Sequence, residues 1–195
     1  MTDFRVVLGL IATIIALAGY IPYFKNILTG KTKPHAFSWL IWSILTGIAF
    51  AAQVVENAGP GAWVTGFTAL GCFTIFILSL FKGKRSFVLF DWFALVASLV
   101  ALLLWWLTKD PTMSVILITL TDAIAFLPTF RKAFYKPYEE TATTFALSGL
   151  KFFIALFALE TIIISTWLYP ASLVVMNWLF VALVLLRRKH VKPIK

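Results

Sequence analysis

The chain has 195 residues, 61% of them hydrophobic and only 13% charged, with a mean hydropathy of +0.94. A soluble domain of this size keeps about a quarter of its residues charged, so this deficit excludes an ordinary water-soluble globule and makes lipid the solvent. The net charge of +9 does not indicate nucleic acid, because the cations gather in short segments between long apolar runs instead of forming one basic face.

Crossing ~30 Å of hydrocarbon at ~1.5 Å per residue takes about 20 apolar residues. Seven stretches meet that length, roughly 4–24, 36–55, 61–81, 88–107, 112–130, 142–164 and 166–186. The connections are too short to hold a soluble domain. The expected fold is an all-α membrane protein of seven transmembrane helices. The first run follows Asp3 and Arg5 and has no basic leader or small-residue cleavage site, so it is expected to stay as a helix. A single cysteine, Cys72, excludes an internal disulfide and suits packing within the third run.

The loop charges give an orientation. Lys25, Lys31 and Lys33 follow the first run, Lys82, Lys84 and Arg85 the third, and Arg131, Lys132 and Lys136 the fifth. Arg187, Arg188, Lys189, Lys192 and Lys195 follow the seventh, and with seven crossings all fourteen fall on one side. The other side holds Arg5 and Lys109 beside Asp3, Glu56 and Asp110. Positive loops stay cytoplasmic, so the N-terminus is expected outside and the C-terminus inside a plasma (inner) membrane, with anionic headgroups as partners of the basic loops. Tryptophans agree: Trp39, Trp42 and Trp92 lie near inner helix ends, Trp63, Trp105, Trp106 and Trp167 near outer ends, and Trp178 alone lies mid-run.

An internal repeat organises the runs. Gly19-Tyr-Ile-Pro-Tyr-Phe-Lys25 aligns with Ala125-Phe-Leu-Pro-Thr-Phe-Arg131 at an offset of 106 residues, and Ser38-Trp39 then falls on Thr144-Phe145. Runs one to three map onto five to seven and leave the fourth unpaired. An extra helix restores the same entry side, so the repeats are expected to run parallel about an axis along the membrane normal. The plan is two three-helix bundles, residues 1–86 and 111–195, joined by a linker helix in 87–110.

The residues Ile21-Pro22…Lys31…Ser38 and Leu127-Pro128-Thr129-Phe130…Lys136…Thr144, with proline and hydroxyl sixteen positions apart in both halves, resemble the PQ-loop superfamily and, within it, the SWEET sugar transporters. The 3+1+3 plan is also similar to that of PnuC-type vitamin transporters, as is the pair Trp39 and Trp42 to their Trp-x-x-Trp motif. The superfamily further includes amino-acid exporters and a sorting receptor. Two departures stand out. The family's Pro-Gln glutamine is Tyr23 here and Thr129 in the second half, and the prolines of SWEET helices two and six have no counterpart around Leu40 or Ala146. The resemblance therefore implies a gate with two prolines, Pro22 and Pro128, in place of four.

Strongly polar groups at mid-membrane depth are functional candidates, because each costs several kcal/mol there. Asp122, Lys151 and Asn177 each lie about ten residues, or ~15 Å, from a run end, in runs five, six and seven. An Asp122–Lys151 ion pair would keep both charges in apolar surroundings, either as a fixed lock or as a titratable pair coupled to solute or proton. Their counterparts at the 106 offset, with that of Asn177, are Ala16, Leu45 and Gly71, while the first half offers Thr13, Ser43, Thr46, Thr68 and Thr74. Asn177 matches the sugar-contacting asparagine that the SWEET resemblance implies in helix seven. Trp178 beside it offers a stacking face, or else faces lipid or core. Gln53, Glu56 and Glu160 approach the outer interface, where solvation suits them. Pro22 and Pro128 interrupt their runs at equivalent places and are hinge candidates.

No phosphate-cradling glycine loop, metal-spaced His/Cys set or nucleophile elbow occurs, so neither enzyme, metal site nor cofactor is expected. The expected function is SWEET-like transport of a small polar solute, a sugar or similar metabolite, by alternating access, with a proton as possible co-substrate and a monomer sufficient though assembly is open. The alternatives are a non-transporting receptor or assembly protein on this fold, or a PnuC-like vitamin transporter.

Overall fold

The computed structural model describes residues 3–30, 34, 36–82, 89–135, 137–139 and 142–190, with a few side chains inside these ranges, Pro128 among them, left out. The loop cations Lys31, Lys33, Lys84, Arg85, Lys136, Lys192 and Lys195 lie outside the described residues.

Among the described residues there are seven α-helices and no strand: α1 (Phe4–Leu28), α2 (Ala36–Val55), α3 (Trp63–Lys82), α4 (Leu89–Thr108), α5 (Pro111–Tyr135), α6 (Ala142–Phe157) and α7 (Ile164–His190). Four helical segments, Phe4–Leu28, Ser38–Val55, Gly59–Lys82 and Ile164–His190, are long and apolar enough to cross a membrane, and two apolar segments, Pro111–Leu127 and Ala142–Phe157, are shorter. The chain is thus an all-helical protein with the helices of an integral membrane protein.

α1 and α5 begin alike, on aspartates 107 residues apart. Asp3 caps α1, its carboxylate accepting from the Arg5 backbone N–H at 3.0 Å. Asp110 does the same for α5, accepting from Thr112 at 2.8 Å. An acidic side chain at this place meets free N–H groups and the positive end of the helix dipole. Gly30, at φ +74°, lies just beyond the end of α1 in the left-handed conformation that glycine adopts without strain.

The burial pattern is that of a protein solvated by lipid. α1 turns Gly9, Ala12, Thr13 and Ala16 inward and exposes Phe4, Val7, Ile11, Ile14, Leu17 and Ile21. Small residues inside allow close helix approach, while large apolar ones outside cost nothing against acyl chains. α4 exposes Trp92, Phe93, Val96, Leu99, Val100, Leu103, Trp106 and Leu107 in the same way.

Helix packing is symmetric under one exchange of helices. α3 packs on α1 and α2, and α7 on α5 and α6; α1 meets α6, and α2 meets α5. Exchanging α1, α2 and α3 for α5, α6 and α7 maps this set onto itself, and the weaker α2–α7 and α3–α6 contacts obey the same exchange. α4 packs on α5 and α2.

The two ends of the bundle are tied differently. At the end where α2 turns into α3 and α6 into α7, the two connections grip each other. Glu160 N–H donates to Ala58 O at 3.0 Å, Gly61 N–H to Ala158 O at 3.0 Å and the Thr161 hydroxyl to Asn57 O at 3.0 Å. Gly61 abuts Leu159 and the Ala155 carbonyl, and Gly9 of α1 seats Pro60, each place being too tight for a Cβ. Ala58, Ala62 and Leu159 form a small apolar cluster beneath the clasp. At the opposite end the ties run within each set of three helices: Lys82 Nζ donates to Leu28 O at 3.0 Å and Arg187 Nε to Phe134 O at 2.8 Å. Leu28 and Phe134 are 106 residues apart, so both sets cap the end of their first helix with a cation from their third.

The structure changes two readings. The sixth helix ends at Phe157, not near 164, because residues 158–161 donate and accept in the clasp instead of continuing the helix. Gln53 is not solvated at an interface but 1% exposed, and it repairs a backbone break. Pro170 lies inside α7 and has no N–H, so the Thr166 carbonyl one turn earlier has no helical donor. Gln53 Nε2 donates to that carbonyl at 2.8 Å. The bond joins α2 to α7.

Replacing Gln53 by Leu should therefore strand a buried carbonyl and cost about 1–3 kcal/mol. Adding Pro170→Ala, which gives Thr166 O its own helical donor, should recover part of that loss. Thermal melting of the purified single and double variants checks this; a double variant less stable than Gln53→Leu alone contradicts it.

Candidate functional site

Lys151 comes from α6 and is 5% exposed. Its ammonium donates to Thr68 Oγ1 of α3 at 3.0 Å and lies 5.2 Å from the ring centre of Tyr20 of α1 and 4.9 Å from that of Phe152. Cation–π contacts of this kind are worth ~2 kcal/mol or more when water is excluded. Thr68 passes its own hydroxyl proton to Val64 O at 2.7 Å, which leaves its oxygen free to accept from lysine.

Tyr20 completes this corner. Its hydroxyl lies 3.4 Å from Thr68 O, to which it donates, and 3.7 Å from the Cys72 sulfur. The ring fills the space above Gly71, where a Cβ would approach it to 2.7 Å. Gly71 is the repeat counterpart of Asn177, and Phe126 that of Tyr20. The first half therefore gives up the asparagine and supplies a tyrosine hydroxyl instead. Sequence reading missed Tyr20; the signal was a bare glycine in one half together with a hydroxyl gained on an otherwise matched aromatic.

Asp122 of α5 is 1% exposed, and neither carboxylate oxygen has a hydrogen-bond partner. The Trp42 indole of α2 comes near it, outside hydrogen-bond geometry. The expected Asp122–Lys151 ion pair is not formed. The helix arrangement explains why: α5 and α6 both pack on α7, α6 faces α1, and α5 faces α2, so each charge is directed at the other set of helices. Cys72 lies within electrostatic reach of both Lys151 and Asp122, and Tyr169 within reach of Asp122 and Cys72. Side chains from α1, α3, α5, α6 and α7 thus converge on one buried region.

The remaining candidates separate. Asn177 is buried, and its side-chain amide donates to Leu173 O of its own helix at 2.7 Å. Trp178 does not join the charged residues: it is 40% exposed, stacks on Phe153 at 5.3 Å and covers Gly149, where no Cβ would fit. That is a packing role between α6 and α7. Pro22 sits inside α1 at an exposed position, and Pro128 falls within the span of α5 with its side chain outside those described. Of the first-half hydroxyls, Thr13 and Thr46 bond back to their own helices and Thr74 is exposed; Ser43 reaches Ala69 O across to α3 at 3.5 Å. Among the described residues no group of His, Cys, Asp and Glu could hold a metal ion.

An unpartnered carboxylate in a dry interior opposes folding, whereas removing one member of a true buried pair destabilises strongly. Asp122→Asn should therefore leave the thermal midpoint unchanged or raise it. A clear drop in melting temperature for this variant would instead mean that the carboxylate is paired in the folded protein.

No family model matches the chain, and neither a curated protein nor a solved structure does.

Proposed function

We propose that this protein is a SWEET-like membrane transporter that moves a small polar solute by alternating access. Seven helices cross the membrane as two parallel three-helix units, α1–α3 and α5–α7, with α4 as the linker. The N-terminus faces outward, and the basic loops face the cytoplasm and its anionic lipid surface.

The observation that carries this reading is the position of Lys151 and Asp122. Both are buried where the two helix sets meet, and each is directed at the opposite set. Intramembrane ionisable groups mark solute and proton pathways. A structural lock would be expected to pair them, and they are not paired. The exchange symmetry of the packing supplies two similar bodies that rock against each other. Among the described residues the clasp joins those bodies at one end, the end assigned here to the outside. The described ties at the other end stay within each body. This is an arrangement closed outward, and Pro22 and Pro128 are placed in α1 and α5 to flex at the cytoplasmic end.

Purified protein in proteoliposomes should take up at least one solute from a panel of sugars, amino acids and vitamins; silence across the panel would count against transport. Motion of the clasp is tested separately. Asn57→Cys with Thr161→Cys, oxidised to a disulfide across the two connections, should abolish uptake, and a reductant should restore it. Undiminished uptake in the oxidised state would mean that this end does not open.

A further inference from the structure

Resting on the transport reading above, we infer that the solute is a small zwitterion, its anionic group bound by Lys151 and its cationic group by Asp122. The grounds are chemical. The region holds one buried ammonium with no carboxylate partner and one buried carboxylate whose oxygens accept no hydrogen bond. Their charges cancel overall, yet the groups do not touch. Both are buried where the two helix sets meet, Lys151 against Thr68 and Tyr20 and Asp122 near Trp42.

A molecule carrying one charge of each sign corrects both defects at once. Its anion replaces the neutral Thr68 hydroxyl as partner of Lys151 with a charge-assisted bond, and its cation gives the Asp122 oxygens the donors they lack. A neutral sugar corrects neither charge. A simple anion satisfies Lys151 and leaves Asp122 stranded, and a simple cation does the reverse. Sites built around such groups reject analogues that leave one of them unpaired. The aromatic faces of Tyr20 and Phe152 lie against the Lys151 ammonium. Asn177 gives one side-chain N–H to Leu173 O of its own helix, and Trp178 packs over Gly149, so neither touches the charged residues.

Three small hydroxylated probes differ in the charged groups they carry: L-serine has both, L-lactate the carboxylate alone and ethanolamine the ammonium alone. D-glucose serves as the neutral polyol. Equilibrium binding to the purified full chain, and uptake by the same protein in proteoliposomes, should favour L-serine over lactate and ethanolamine by at least about tenfold, equivalent to ~1.4 kcal/mol, with no response to glucose. In Asp122→Asn, serine binding should fall by about tenfold while lactate, which needs Lys151, is retained. In Lys151→Met, serine should fall while ethanolamine is retained. Lys151→Arg and Asp122→Glu, which keep the charges, should keep serine binding and so separate lost recognition from lost folding, with monodispersity and melting temperature followed for each variant.

Glucose or lactate binding as well as serine, or both neutralised variants losing no serine affinity, would overturn the zwitterion. Glucose uptake without serine binding would overturn it and leave transport standing. Serine binding with no uptake of any probe would support the site and overturn transport.

Discussion

In hydrocarbon no water replaces a missing hydrogen bond, and each unmet polar group costs several kcal/mol. Much of this structure is arranged around that constraint. Pro170 breaks the ladder of α7, and Gln53 crosses from α2 to close it. The hydroxyls of Thr13, Thr46, Thr68 and Thr74 return to carbonyls one turn earlier, which keeps them from facing lipid unbonded. Loop backbone between α2 and α3 donates to and accepts from loop backbone between α6 and α7. Each repair that crosses from one helix set to the other also fixes how the two halves meet, so the demand for polar partners shapes the tertiary structure as much as apolar packing does.

Against that background Asp122 is the exception. Gln53 Oε1, Thr65 Oγ1 and Ser165 Oγ also lack a partner, but Asp122 is the ionisable group among these, and both its oxygens are left over. Lys151 is better served, but by a neutral hydroxyl and two rings, not by an anion. Proteins break their own packing rules mainly where function requires it. Under the proposed function, the two separated charges are where a suitable ligand would gain its binding free energy.

Much of the fold was legible in the sequence because lipid imposes crude and repetitive demands. Helix starts at 4, 36 and 142 follow from apolar run length, and the fourth helix starts one residue after the start of its run. What stayed hidden depends on direction around a helix, which run length does not encode. Asp122 and Lys151 share a depth, so a pair looked economical; α7 stands between their helices and turns each toward the other half. Trp178 adjoins Asn177 in the chain, but the ~100° between neighbouring helical positions carries it onto Gly149. The early end of α6 was invisible for a different reason: residues 158–163 are apolar enough to continue a helix, and only the facing connection makes a loop the better partner.

The asymmetry between the halves then has a mechanical consequence. Lys151 sits on α6, but its partners Thr68 and Tyr20 belong to α3 and α1; Asp122 sits on α5, and the indole nearest it belongs to α2. Any rocking of α1–α3 against α5–α7 must therefore change the surroundings of both charges together. In the proposed cycle, opening the interface would strip Thr68 from the ammonium and admit water or solute to the carboxylate in the same motion. A solute holding both charges would stabilise the closed arrangement, and an empty site would leave it with an unmet carboxylate. Since a ligand can shift a conformational equilibrium only by its difference in affinity for the two states, the charges need to lie on one half and their partners on the other. Had Lys151 and Asp122 paired within the second half, rocking would have left them undisturbed, and binding would have had no purchase on the motion.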